Sequence, residues 1–161
     1  MAIPKKAVAI ICKDRIRAER MDTHMLSELI KNGFGEEEGL NCAEKMLHGA
    51  NVAYKLGLDK EALKLASAFG GGMGIEDKCG ALTGALMVLG KLFVKEKAHE
   101  SDRIGRLTRE FFKEYGKEMG YIDCTPLKKE YRTEEEKCNN VILKAAQILD
   151  RIVKRETHLC K

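Results

Sequence analysis

The stretch from Cys79 to Phe93, CGALTGALMVLGKLF, is apolar almost all the way round a helix. Cys79, Leu82, Leu86, Leu89 and Phe93 recur at helical spacing. Gly80, Gly84 and Gly90 leave room for another backbone to approach. A helix of this kind belongs at the buried centre of a bundle. It is too short for the ~20 apolar residues that span a bilayer, so the segment constrains the chain to an interior helix wrapped by amphipathic ones.

The flanking sequence supplies those partners. Pro4 can open a helix through Ala7, Val8 and Ile11 toward Arg20, or AVAIIC can form a strand. Asp22 is placed to cap a helix carrying Met25, Leu26, Leu29 and Ile30, which Asn32–Gly33 stops. The next begins near Asn41, sets Cys42, Met46, Ala53 and Leu56 on one side, and ends at Gly57. A short helix from Asp59, with Leu63 and Leu65, runs into FGGGMG, where three consecutive glycines cannot stay helical. Asp77 then reads as the cap of the central helix.

Ser101 is expected to cap a helix with Ile104, Leu107, Phe111 and Tyr115 facing inward. GYIDCTPLKKEY reads as a loop containing Cys124, with Thr125 as a cap and Pro126 in the first turn. Thr133 and Glu136 form a capping box before a stripe of Cys138, Val141, Ile142, Ala145, Leu149 and Ile152. The expected fold is all-α: one domain over residues 1–161, a bundle of about six to seven helices around a buried, glycine-containing central helix.

Four cysteines, Cys42, Cys79, Cys124 and Cys138, lie where helices are expected to start. A helix N-terminus carries partial positive charge and free N–H groups, both of which stabilise a thiolate. Cys79 also follows the glycine-rich loop, so backbone N–H groups near Gly72 and Gly74, with Gly80 clearing space beside it, can hydrogen-bond sulfur. Cys42 and Cys138 also sit where core packing would place a small apolar residue. No phosphate loop is present, because GGGMGIEDKCG lacks the G-x-x-x-x-G-K-[ST] pattern and follows no strand.

The N-terminal residues do not read as a secretory signal, so a cytoplasmic chain is expected, and six cysteines there point to metal or redox use rather than a disulfide framework. There is no C-x-x-C and no C-x-x-C-H, which excludes a zinc ribbon, a thioredoxin-like motif and covalent haem. Separations of 37, 45 and 14 residues match no ferredoxin or zinc pattern, so spacing does not identify a metal. Three chemistries remain open at these residues: a metal or cluster site, thiol–disulfide exchange with Cys42 or Cys79 as nucleophile, and structural zinc. Cys12 reads as core and Cys160 as an exposed terminal residue. His24, His48, His99 and His158 show no ligand pairing; His48, six residues after Cys42, is the one nearest a candidate.

With these residues assembled, the chain resembles the family named for its motif C_GCAxxG_C_C, which is assigned to redox chemistry on the strength of its cysteines. The segments that carry the resemblance are GLNCAEKML, LASAFGGGMGIEDKCGALTGALMVLG, DCTPL and KCNNVILKAAQIL. It spans residues 25–153, leaving 1–20 and 154–161 as terminal extensions. A similar module accompanies haem domains in multihaem cytochromes of anaerobes, where such cysteines hold a [2Fe–2S] cluster. The resemblance therefore implies an iron–sulfur or other metal site at Cys42, Cys79, Cys124 and Cys138, with zinc as the alternative. It also implies prokaryotic electron transfer with a redox partner protein.

Net charge is +4, but lysines and arginines alternate with glutamates and form no basic block interleaved with aromatics, which argues against nucleic acid. The expected setting is cytoplasmic and away from the membrane. A homodimer is also open, with the glycine-bearing central helix packing on its copy.

Overall fold

The computed structural model describes residues 25–158. Among them are seven α-helices: α1 (Leu26–Lys31), α2 (Cys42–Ala53), α3 (Lys60–Leu63), α4 (Gly80–Phe93), α5 (Arg103–Met119), α6 (Cys124–Tyr131) and α7 (Asn139–His158). A 3₁₀ segment, Lys64–Phe69, and a wide turn, Gly72–Glu76, lead into α4. No strand occurs among the described residues; extended pairing is confined to two isolated bridges, Lys78 with Asp123 and Thr133 with Lys137. The all-α bundle expected from periodicity is the fold. The expected Pro4–Arg20 helix, the Asp22 cap, Cys12, His24 and Cys160 lie outside the described residues.

Helix α4 is the centre, packed most closely on α2 and also against α5 and α7. Its glycines explain the closeness. A Cβ on Gly84 would lie 2.7 Å from the Ala43 carbonyl oxygen and 2.9 Å from Met46 Cβ. Gly80 and Gly84 thus admit close approach from within the chain, as expected of the central helix, while a Cβ at Gly90 would meet nothing within 4 Å.

A six-residue helix such as α1 is not stable by itself. Its N-cap position is Met25, which offers no side-chain acceptor. The cap comes from α7 instead: buried Asp150 accepts the N–H groups of Leu26 at 3.0 Å and Ser27 at 2.9 Å, and the Tyr54 hydroxyl at 2.5 Å. Buried Glu156 of α7 pairs with Arg103 and Arg106 of α5, and Arg155 of α7 pairs with Glu110 of α5. Helix α7 continues through the expected C-terminal extension as far as His158.

Several helix boundaries differ from expectation. Helix α2 ends at Ala53, and Lys55 turns left-handed (φ 52°), so Leu56 is buried from outside the helix. Asp77 does not cap α4; Cys79 does, because the Lys78–Asp123 bridge keeps the preceding residues extended. Cys124 is the first residue of α6 rather than a loop residue, and the cap position is Asp123. Thr125 hydrogen-bonds the Glu76 carbonyl oxygen at 3.2 Å instead of capping. Thr133 does accept the Glu136 N–H at 3.0 Å, but this closes a turn that precedes α7. Cys138 therefore stands just before the last helix, still packed against the core.

Candidate functional site

All four cysteines stand at or beside helix N-termini, each held by a different local device. Cys42 opens α2 behind a full capping box: Asn41 accepts the N–H groups of Ala43 and Glu44, and Glu44 accepts that of Asn41. Asn41 also donates to the Ser67 carbonyl at 2.9 Å, tying this helix start to the 3₁₀ segment. Cys79 and Cys124 are joined by backbone pairing, Cys79 N–H to Ile122 O at 3.0 Å and Cys124 N–H to Asp77 O at 2.5 Å. Lys78 bridges Asp123 and Asp77 beside them. The Cys138 carbonyl accepts the Ile142 N–H at 3.1 Å, the first hydrogen bond of α7.

Two of the three expected glycines touch the cysteines. Gly72 is buried with φ 62°, and a Cβ there would lie 2.8 Å from Cys124 Cβ. A Cβ on Gly80 would lie 3.3 Å from Cys42 Cβ and 2.8 Å from the Phe69 carbonyl oxygen. Gly74 is exposed, and a Cβ there would meet nothing. The turn between them holds two non-glycine residues left-handed, Met73 (φ 61°) and Glu76 (φ 59°). Glu76 is clamped by Thr125 and by Lys128 Nζ at 2.5 Å. Strained backbone of this kind persists only where its surroundings hold it.

The four sulfurs form one electrostatic unit, because every pair among them interacts. All four are free thiols. Cys42 is hydrogen-bonded to Cys138, and this contact, reinforced by burial and the other cysteines, pushes the Cys42 thiol far up. The same contact holds Cys138 well below the ordinary thiol range against the opposing effect of burial, with Arg132 adding to it. The two thiols titrate as a pair, with negative charge favoured on the Cys138 side, beside Arg132. Arg132 Nη1 lies 3.9 Å from Cys138 Sγ. Burial pushes Cys79 up to about 11, although the backbone of Ala81 and Leu82 pulls the other way. Burial also raises Cys124.

Exposure divides the set. Cys79 and Cys124 are 3% and 5% exposed, whereas Cys42 and Cys138 are half-buried. Beneath lies Tyr115, wholly buried, its hydroxyl donating to the Val141 carbonyl at 3.3 Å. Burial raises that phenol, and Cys79 and Cys42 raise it further. Periodicity marks Tyr115 as inward-facing but not as the floor of a site. Arg132 carries no sequence signal, since it reaches Cys138 across an irregular turn. His48 Nε2 is buried without a hydrogen-bond partner among the described residues. Among those residues, no three His, Cys, Asp or Glu side chains form a group placed to hold a metal ion.

The sequence matches the family described as "Putative redox-active protein (C_GCAxxG_C_C)" over residues 40–152. The chain belongs to this family. The match runs from the cap of α2 into the last third of α7, so it takes in all four cysteines and leaves α1 outside. The family's description supports redox activity as the coarse function. No curated protein and no solved structure matches the chain. No helix among the described residues is long and apolar enough to cross a membrane.

Proposed function

We propose that Cys42, Cys79, Cys124 and Cys138 hold a [2Fe–2S] cluster and that the chain passes electrons to a redox partner protein. The observation that carries this reading is the gathering of four free thiols from four separate helix starts into one interacting set. Structural zinc needs all its ligands on one ion, usually four thiolates or histidines. A two-iron cluster asks for two protein sulfurs per iron. The Cys42–Cys138 hydrogen bond supplies one such pair, and the bridged segments at Lys78 and Asp123 carry the other two cysteines.

When bound, the cluster supplies one-electron transfer. The chain's own residues account for the rest. Helix starts and the N–H groups of Ala81 and Leu82 face the negative charge of the sulfurs. Arg132 adds a full positive charge on the Cys138 side. Burial of Cys79 and Cys124 excludes water from the other side, and a reducing cytoplasm suits four unpaired thiols. The test is iron, zinc and acid-labile sulfide analysis with a visible spectrum on anaerobically purified protein. About two irons and two sulfides per chain with charge-transfer bands are expected. Protein that stays colourless after reconstitution with iron and sulfide overturns the reading.

A second reading rests on the Cys42–Cys138 hydrogen bond. In thiol–disulfide exchange, the Cys138 thiolate would attack a substrate disulfide and release one thiol. Cys42 would then resolve the mixed disulfide, releasing the second thiol and leaving a Cys42–Cys138 disulfide. Mild oxidation that protects these two cysteines together from alkylation supports it; independent alkylation of the two rejects it.

A further inference from the structure

We propose that Arg132 is a positioning residue for the cysteine centre: its guanidinium holds positive charge against Cys138 Sγ and so raises the centre's reduction potential and favours anionic reactants there. This rests on the redox reading above only for its effect on potential. Arg132 occupies the C-terminal cap of α6, with its N–H bonded to the Lys128 carbonyl at 3.0 Å. That anchor starts the extended exit from α6 and brings Nη1 to 3.9 Å from the sulfur. The nearest alternative cation on the same helix, Lys128, has its ammonium on Glu76 at 2.5 Å. Lys128 also adds positive charge near Cys124 and Cys138, but the hydrogen bond to the Cys138 sulfur comes from Arg132.

Position makes this charge consequential. Cys138 is on the half-buried side of the centre, where a partner can approach, and Arg132 is itself exposed beside it. A positive charge close to a centre that becomes more negative on reduction stabilises the reduced state. The same charge raises the local concentration of anions and is weakened by salt.

The test uses full-length protein and the variants Arg132→Gln and Arg132→Lys. The first readout is the ratio of Cys138 alkylation rates with anionic iodoacetate and neutral iodoacetamide, followed by mass spectrometry on metal-free protein. Taking the ratio cancels the thiolate fraction and leaves the local field. Arg132→Gln is expected to lower it about threefold to tenfold, Arg132→Lys to preserve most of it, and added salt to lower it in the unchanged protein. The second readout is the potential of the reconstituted centre, expected to fall in Arg132→Gln by about a tenfold change in the reduction equilibrium, or ~59 mV for one electron. If the cluster forms but neither ratio nor potential changes, the role of Arg132 is overturned and the cluster reading stands. If no cluster forms but the ratio falls as expected, the cluster reading fails and the role of Arg132 stands. A ratio that falls equally in both variants reflects structure rather than charge and also overturns it.

Discussion

The two halves of the cysteine set are built in opposite ways. Cys79 and Cys124 are locked by backbone pairing, sealed under Gly72, and almost fully buried. Cys42 and Cys138 meet through their side chains, are half-buried, and have a guanidinium beside them. Charge is costly on the first half; on the second it is costly at Cys42 and stabilised at Cys138. A centre made from both is anchored on one side and open to exchange on the other.

The sharpest way to break this contrast is to remove one sulfur at a time. Cys79→Ala and Cys124→Ala are expected to abolish iron loading, because a buried position offers no solvent ligand in exchange. Cys138→Ala is expected to retain partial, labile loading. Iron and sulfide per chain after reconstitution measure this, and equal losses at all positions would erase the distinction.

Next in size is the seal over the buried half. Gly72→Ala forces a left-handed alanine and a 2.8 Å approach to Cys124 Cβ. A loss of about 1–3 kcal/mol in urea unfolding is expected, together with weakened loading. Gly74→Ala shares the positive φ but meets nothing, so it should lose less stability and leave loading intact.

A third comparison is by pH. In metal-free protein, alkylation of Cys138 should already be on its plateau at neutral pH, because its thiol is held low and stays deprotonated above that lowered value. Alkylation of Cys79 should instead climb about tenfold per pH unit until about 11, since burial keeps it protonated below that point. Parallel profiles would show that the two halves share one environment. The smallest effect is expected beneath both halves: Tyr115→Phe removes the bond to Val141 and should lower stability by about 1 kcal/mol without separating the pairs.

Much of this architecture was readable from residues alone. The Asn41 cap, the Asp59 cap and the buried run of α4 all depend on neighbours within a few positions, and all appear where expected. The errors fall where distant segments intervene. Asp77 looked like a cap, but pairing with the segment before Cys124 made Cys79 the cap instead. Cys124 looked like a loop residue because Thr125 and Pro126 placed the helix start two residues later, whereas the bridge to Lys78 sets it at Asp123. The cap of α1 comes from Asp150, 124 residues from Leu26.

By itself the sequence determined that the chain is helical, that its apolar glycine-bearing segment must be central, and that four cysteines stand near helix starts. These follow from period, propensity and turn chemistry, which act over one or two helical turns. Only the tertiary structure decided which cysteines meet, which are sealed from water, and that Arg132 faces one of them. Those properties depend on contacts between segments far apart in the chain, where the packing of Gly80 and Gly84 on α2 and the Lys78–Asp123 bridge set the distances.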